Sequence, residues 1–404
     1  MSEARTTNLA LEGIRGIACI LVALGHTLYL THLDPTTNLP EWLRYCEAGH
    51  SAVLIFFVLS GYLIGWTNSG DSTPGSRRAY LRRRFIRLAP IYYIALALTT
   101  IMILVRGDFG QKRAIVATFA GVQNFNDYFG WHLPPPSTNG PLWSLNYELL
   151  YYAMFIPLWH FRPRLFFVFA PALGATLLAW FTPQFMPLFI GSYACGWLFW
   201  AAGWWLARQP ALDTENRAPV LTWLLLVVAG HNIGGLMRIL NALHLHSEDA
   251  GMVTLADLAQ FPVIILLLAA VARRQLPFAR SLSVFAWLIC IIPLGGMLWT
   301  GKLWTHPGWM VGGATLILAI FSAGLRNNSW LQKFDGVGRI SYAFYVVHFP
   351  LLFLVQLIPS SRGTIPSYLF RIAVWAVLSV TLSWYLERRF QPWIKSRLRA
   401  PGIF

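Results

Sequence analysis

The first apolar segment of the chain, residues 9–30, carries ionisable side chains although it is long enough to cross a bilayer. Arg15 and His26 are eleven residues apart, which on a helix with about 100° per residue places both on one face, about 16 Å apart along the axis. Ionisable residues inside a membrane usually face the protein interior and have a function. The pair therefore predicts a polar wall with a fixed cation and a titratable imidazole. The alternative is that Arg15 reaches the interface and His26 bonds to a neighbouring helix.

A basic cluster precedes the third apolar segment, and two of its arginines are spaced to act together. Arg84 and Arg87 are three residues apart, so they share a helix face. Guanidinium groups bind phosphate in a bidentate manner, and two of them at the inner membrane edge would hold phosphate groups well. The alternative is an ordinary cluster of cytoplasmic charges in contact with lipid headgroups.

A carboxylate lies about one turn inside the fourth apolar segment. Glu148 follows Trp143 and Ser144, and Ser144 is four residues earlier on the same helix face. A carboxylate in this apolar setting could orient a histidine or accept a hydrogen bond from a sugar hydroxyl group. The alternative is that Ser144 caps the helix and that Glu148 is solvated at the interface.

A polar stripe runs along the eleventh apolar segment. Ser341, Tyr345 and His348 fall at positions i, i+4 and i+7 of a helix. The stripe is suited to holding helices together and equally to a direct catalytic role, and the sequence leaves both open. Two other histidines have no motif around them: His231 lies in the middle of the seventh segment, and His50 lies at the outer start of the second.

Composition assigns the chain to the integral membrane proteins. Hydrophobic residues make up 56% of the chain and charged residues 12%, whereas a soluble domain has about 25% charged residues. The net charge of +15 is attributed to cytoplasmic loops near anionic headgroups, and no nucleic-acid-binding module is recognisable. Known metal-binding signatures, a Walker loop and a Gly-x-Ser-x-Gly motif are also missing from the sequence. Histidine, carboxylate and arginine must therefore carry any chemistry.

Twelve apolar segments predict an all-α, polytopic transmembrane helix bundle of about 10–12 spans. The segments are 8–31, 50–67, 86–105, 143–160, 165–181, 187–207, 219–239, 255–272, 281–299, 308–325, 338–358 and 367–387. With a cytoplasmic N-terminus, 23 of the 31 lysine and arginine residues fall on the inner side and 8 on the outer side. This positive-inside distribution predicts that both termini are cytoplasmic.

The connections between the segments indicate a single domain. The longest one, 106–142, is assigned to the outer side, and residues 112–125 within it are expected to form a short interfacial or re-entrant helix. Internal repeats and soluble domains are not recognisable. Residues 1–404 are therefore interpreted as one membrane-embedded domain with a core from about 8 to 390.

Five motifs, taken in order, resemble the acyltransferase 3 family of integral membrane proteins. They are Leu11-Glu12-Gly13-Ile14-Arg15-Gly16-Ile17-Ala18 followed by His26, Phe56-Phe57-Val58-Leu59-Ser60-Gly61-Tyr62, Arg84-x-x-Arg87 with Pro90, Trp143-Ser144-Leu145-x-x-Glu148, and the stripe from Ser341 to His348. Family members transfer an acyl group, commonly acetyl from acetyl-CoA, to hydroxyl groups of extracytoplasmic glycans and some other acceptors. Leu149-Leu150 replaces an acidic residue and a glutamine that often follow the glutamate. The fused esterase-like domain of longer members is absent, so that any second-step partner is expected to be a separate protein.

The resemblance implies a catalytic role for His26, supported by Arg15, and handling of the donor near Arg84 and Arg87. Together with the spacing arguments it defines a candidate site. Its catalytic residues are His26, Arg15 and Glu148, and its substrate- or donor-binding residues are Arg84, Arg87, Ser341, Tyr345, His348 and Trp143. The implied protein is a multi-pass O-acyltransferase of the inner (plasma) membrane. We expect acetyl-CoA as its co-substrate, no permanently bound cofactor, and as partners membrane lipid and a glycan or lipid-linked saccharide acceptor.

The implied mechanism agrees with the chemistry of these residue types. Histidine acts as a base near neutral pH, and both direct attack by the acceptor and a transient acyl-enzyme stay open. We expect the donor to enter from the cytoplasm, to leave its phosphates on Arg84 and Arg87, and to thread its pantetheine arm toward His26. Two alternatives are a small lipophilic acceptor such as a macrolide, and a transporter without catalysis, which paired broken helices would favour.

Overall fold

The computed structural model of the chain is helical throughout the residues that it describes. These are 3–29, 33–124, 133–183, 185–186, 188–212, 218–245, 252–359 and 362–398, and apart from one isolated bridge between Ala211 and Arg274 they contain no β-structure. Their α-helices are α1 (Glu3–Leu24), α2 (Gly49–Thr67), α3 (Pro74–Arg106), α4 (Lys112–Phe119), α5 (Trp143–Phe161), α6 (Leu165–Phe181), α7 (Leu188–Leu206), α8 (Val220–Ile233), α9 (Gly235–Ala242), α10 (Phe261–Ala272), α11 (Ala279–Trp299), α12 (Pro307–Ser322), α13 (Asp335–Gln356), α14 (Ile365–Tyr385) and α15 (Gln391–Leu398). The predicted all-α fold is confirmed.

Where the structure describes them, the twelve predicted apolar segments lie on helices, but 219–239 is divided at Gly234 into α8 and α9, and 255–272 begins with a 3₁₀ turn before α10. The helix expected within 112–125 is α4. Within the described part of the chain, eight helical segments are long and apolar enough to cross a membrane: Leu9–Leu28, Glu41–Thr67, Pro74–Arg106, Val220–Asn241, Leu255–Ala272, Ala279–Trp299, Ser329–Gln356 and Ile365–Leu398. The apolar helices α6 and α12 are shorter, with 17 and 16 residues, and at ~1.5 Å per residue they extend only about 25 Å. The protein is therefore a multi-pass membrane protein, and the cytoplasmic placement of its termini stays a prediction.

The contacts within the chain divide it into two compact units. Unit 1 consists of Met1–Tyr29, Pro40–Ser69 and Pro163–Gly336. Unit 2 consists of Leu30–Leu39, Gly70–Arg162 and Val337–Phe404. The interpretation of the whole chain as one domain stays a prediction, and the two units are described separately.

Glycines allow helices of unit 1 to pack with their backbones in contact. A methyl group at Gly61 of α2 would collide with the carbonyl oxygen of Trp200 on α7, and one at Gly203 of α7 would collide with the carbonyl of Val58 on α2. Gly13 of α1 lies in the same way against the carbonyl of Leu331. Small residues are favoured at such membrane interfaces because lipid gives helices no hydrophobic reason to associate and packing must do so. Gly61 and Gly13, which are part of the sequence motifs, therefore have a packing role.

In unit 2, the 33-residue helix α3 carries both arginines of the basic motif. It contains Pro90, which has no N–H and therefore leaves the carbonyl oxygen of Ile86 without its usual helical partner. Gln391 at the start of α15 supplies that hydrogen bond from its side-chain nitrogen (2.6 Å). The Tyr342 hydroxyl of α13 donates to the carbonyl oxygen of Leu88 in the same turn (2.9 Å). The proline of the motif thus creates an attachment point for the C-terminal helices.

Candidate functional site

His26 lies in a π-helical turn, Gly25–Tyr29, that follows α1 in unit 1, and its side chain is partly exposed. A π-turn contains an extra residue, and such turns are frequent at functional sites. The regular α-helix ends at Leu24, where this turn begins. The rotation of about 100° per residue from which a shared face of Arg15 and His26 was predicted therefore does not continue as far as His26. The Arg15 guanidinium donates to both carboxylate oxygens of Glu12 on α1, at 3.0 and 3.2 Å. The fixed cation predicted on the same wall as the histidine is therefore partly neutralised by a neighbouring carboxylate.

Arg84 and Glu148 line one cavity of about 280 Å³ in unit 2. The rest of its wall is mostly apolar and is formed by α3, the end of α4, α5 and one side chain of α13. Its polar groups besides the arginine and the glutamate are the hydroxyls of four tyrosines: Tyr92, Tyr93, Tyr152 and Tyr342. The structure thus brings together two candidate residues that are 64 positions apart in the sequence.

The ring of Tyr152 connects the arginine and the glutamate of this cavity. The guanidinium carbon of Arg84 lies 5.6 Å from the centroid of the Tyr152 ring and 5.8 Å from that of the Tyr80 ring. The faces of both rings attract the cation through cation–π interactions. The Nε of Arg84 is buried and has no hydrogen-bond partner in the described residues. The Tyr152 hydroxyl donates to the carboxylate of Glu148. Arg84 is therefore oriented by aromatic rings rather than neutralised by a carboxylate.

Arg87 is engaged differently from Arg84. Its guanidinium forms an ion pair with Glu387 and lies 5.4 Å from the centroid of the Tyr342 ring. Glu387 is buried and also accepts a hydrogen bond from the backbone nitrogen of Ala343 (3.3 Å). Arg87 is absent from the wall of the Arg84 cavity. Arg84 and Arg87 share a face of α3, as predicted, but Arg87 forms an ion pair with a carboxylate of the protein itself.

Tyr345 joins the polar stripe of α13 to the start of α5. Its hydroxyl lies 2.6 Å from Ser144 Oγ and donates to the carbonyl oxygen of Pro141 (3.0 Å). The helix cap of α5 is Leu142, so the alternative that Ser144 caps this helix is wrong. Trp143 packs edge-to-face against Tyr147, with 5.3 Å between the ring centroids.

The other two members of the stripe are buried inside unit 2. His348 is fully buried, and its Nδ1 lies 3.0 Å from the carbonyl oxygen of Phe344 and 2.8 Å from that of Tyr345. Its ring stacks on Phe344, and its own carbonyl oxygen accepts a hydrogen bond from the indole of Trp375 (2.8 Å). Ser341 is buried as well. These contacts favour the helix-packing interpretation of His348 over a direct catalytic one.

Sequence reasoning missed Glu387 and Tyr152. Glu387 stands beside Arg388 and Arg389 and looks like part of a charged cytoplasmic end, whereas in the structure it is buried in the π-helical turn Leu386–Phe390. Tyr152 is one of several tyrosines in an apolar helix, and only its position four residues after Glu148 pointed to a contact. A glutamate next to two arginines, directly after an apolar segment, was the available signal for an internal ion pair.

Comparison with known proteins identifies the family of the chain. The model of the acyltransferase 3 family, described as an acyltransferase domain, matches residues 8–388. The chain belongs to the acyltransferase 3 family. A relative from Rhizobium radiobacter, named protein 2 in the picA locus, is 33% identical over 95 residues. This match covers 22% of the chain and 42% of that protein. No solved structure matches the chain.

Proposed function

We propose that this acyltransferase moves an acetyl group from acetyl-CoA to a hydroxyl group of an extracytoplasmic glycan, in the inner membrane. Family membership supports an acyltransferase. The proposal that the donor is an acyl-CoA rests on the cavity that Arg84 and Glu148 line. This cavity combines a mostly apolar wall with one cationic side chain. An acyl-CoA has the matching character, because an uncharged thioester arm ends in phosphate groups.

Arg84 is suited to a phosphate for two reasons. Its Nε has no hydrogen-bond partner in the described residues, and its guanidinium lies near two tyrosine rings and forms no salt bridge there. A hydrogen bond to a charged group stabilises by roughly 1.5–3 kcal/mol. The wall around it is mostly apolar, and electrostatic interactions are stronger in less polar surroundings than in water.

The proposed reaction assigns one proton transfer to His26. The acceptor hydroxyl loses its proton to the imidazole, its oxygen bonds to the acyl carbon, and the carbon–sulfur bond breaks. The thiolate of CoA then takes up the proton that the imidazolium releases, which returns His26 to its neutral form. A positioned base contributes about 10²–10⁴-fold to such a rate. Glu148, held by Tyr152, would orient a polar group of the donor or acceptor.

The test is the release of CoA from acetyl-CoA by purified full-length protein in lipid nanodiscs. The acceptor is a membrane glycan extract from cells that lack the protein. We expect release that depends on the extract, together with ester-linked acetyl on the glycan. His26→Ala should reduce the rate by about 10²–10⁴-fold, while the control His244→Ala, at an exposed position, should retain it. Release that depends on a macrolide instead of glycan, or uptake of a solute without any CoA release, would refute the proposal.

A further inference from the structure

A second cavity, of about 310 Å³, lies in unit 1, and polar groups form a larger share of its wall than of the wall of the Arg84 cavity. We call it the polar cavity and define it by His50, Ser51, His231, Asp257 and Gln260. These residues come from the start of α2, the end of α8 and the 3₁₀ turn that precedes α10. Its volume is near the lower end of the range of roughly 300–1,000 Å³ for ligand cavities.

Each histidine of the polar cavity is held by a carboxylate. His50 Nε2 lies 2.9 Å from Asp257 Oδ1, and the other oxygen of Asp257 accepts from the backbone nitrogen of Thr254 (2.7 Å). His231 lies between Ser51 Oγ, 3.1 Å from its Nδ1, and Glu47 Oε1, 3.3 Å from its Nε2. The imidazoles are therefore oriented by carboxylates that themselves accept hydrogen bonds from backbone nitrogens. Such fixed orientation is typical of a binding site rather than of a solvated surface.

An unsatisfied acceptor belongs to a residue that lines this cavity. Gln260 is 6% exposed, and its Oε1 is buried without a hydrogen-bond partner in the described part of the chain. The amide packs against Gly230, where a methyl group would come within 2.8 Å of its Nε2. A buried acceptor without a partner costs about 1–3 kcal/mol. A hydroxyl group placed in the polar cavity would remove that cost.

We propose that the polar cavity binds the sugar residue that receives the acyl group, which deepens the proposed function and rests on it. Sugar hydroxyls donate to the Gln260 oxygen and to the Asp257 carboxylate, and they accept from a histidine N–H. Met237, Met252, Ala256 and Ala259 form the apolar part of the wall and suit the C–H face of a pyranose. The alternation of basic residues assigns the start of α2, the end of α8 and the turn before α10 to the extracytoplasmic side, where a glycan would be.

The polar cavity is connected to the turn that carries His26. A methyl group at Gly25, the residue before His26, would lie 2.9 Å from Glu47 Oε2. Glu47 is also the carboxylate that holds His231 in the cavity wall. Glu47 is therefore a positioning residue between the bound sugar and the proposed base. Its carboxylate also accepts from the backbone nitrogen of Gly49, which keeps it in place.

The experiment measures the two substrates separately. With the glycan extract as the varied substrate, Gln260→Leu and Asp257→Asn should raise the extract concentration for half-maximal CoA release by about three- to tenfold, as expected for one hydrogen bond. The KM for acetyl-CoA should change less than twofold. Gln275→Leu, at an exposed position on the same unit, is the matched control and should change neither value.

A second variant covers a failure of Gln260→Leu or Asp257→Asn to fold. Ala259→Phe would fill the cavity and leave its polar groups in place, and it should abolish use of the extract while acetyl-CoA still binds. An unchanged requirement for the extract in Ala259→Phe, or a raised KM for acetyl-CoA alone, would overturn the assignment of the cavity. Wild-type protein that shows no glycan-dependent release would instead refute the proposed function.

Discussion

Replacement of Arg84 by alanine is expected to weaken the use of acetyl-CoA specifically. The guanidinium lies over the rings of Tyr80 and Tyr152, and its Nε is a buried donor without a hydrogen-bond partner in the described residues. If it binds a phosphate of CoA, its removal costs roughly 1.5–3 kcal/mol. At ~1.4 kcal/mol for each factor of ten, the KM for acetyl-CoA should rise about 10- to 150-fold. Arg84→Lys keeps the charge but loses the two-pronged hydrogen bonding of the guanidinium, so its KM for acetyl-CoA should lie between those of the wild type and Arg84→Ala.

A donor without phosphate makes this test decisive. S-Acetylpantetheine has the thioester arm but no phosphate group, so the wild type and Arg84→Ala should use it with similar kcat/KM. Arg78→Ala, at an exposed position of the same helix α3, is the control for charge alone. A loss that is equally large with both donors, or an unchanged KM for acetyl-CoA, would refute the assignment of Arg84 to phosphate.

Three further predictions concern contacts that the structure revealed. Arg87→Ala should lower stability by about 3 kcal/mol in thermal unfolding, since it leaves the buried Glu387 uncompensated while the arginine itself is 35% exposed, and adding Glu387→Gln should restore most of it. Tyr152→Phe and Glu148→Leu should each reduce kcat/KM for the donor, and because each removes the same hydrogen bond, the double variant should lose little more than either single one. Gly61→Ala should reduce stability by about 1–3 kcal/mol through overpacking.

These predictions have internal controls. Gly174→Ala introduces the same methyl group on α6 at a position where nothing lies within 4 Å, so it should leave stability unchanged. A Gly61→Ala protein as stable as the Gly174→Ala protein would contradict the packing role of the glycine. Additive losses in the Tyr152 and Glu148 double variant would mean that the two residues act separately. An Arg87→Ala protein that unfolds at the wild-type temperature would show that Glu387 finds another partner.

The sequence alone determined the class of fold and the residues of interest. A bilayer leaves no water to bond to the backbone, so that long apolar segments must be helical. The described residues of the twelve predicted segments are helical apart from a break at Gly234 within 219–239. Spacing along one helix is fixed by the helical period, and this placed Arg84 beside Arg87 and Ser144 on the same face as Glu148. The family motifs were recognisable for the same reason, because they are local patterns.

Only the tertiary structure decided which of these side chains meet. Arg84 lines a cavity with Glu148, whereas Arg87, on the same face, pairs with Glu387, which is 300 residues later in the chain. The pairs of His50 with Asp257 and of His231 with Glu47 also join segments that are distant in the sequence. No sequence motif predicted these two contacts. Local spacing defines the face of a single helix, but contacts between helices depend on how closely their backbones approach. In unit 1 that approach is governed by Gly61 and Gly203, whose own sequence context says nothing about the partner helix.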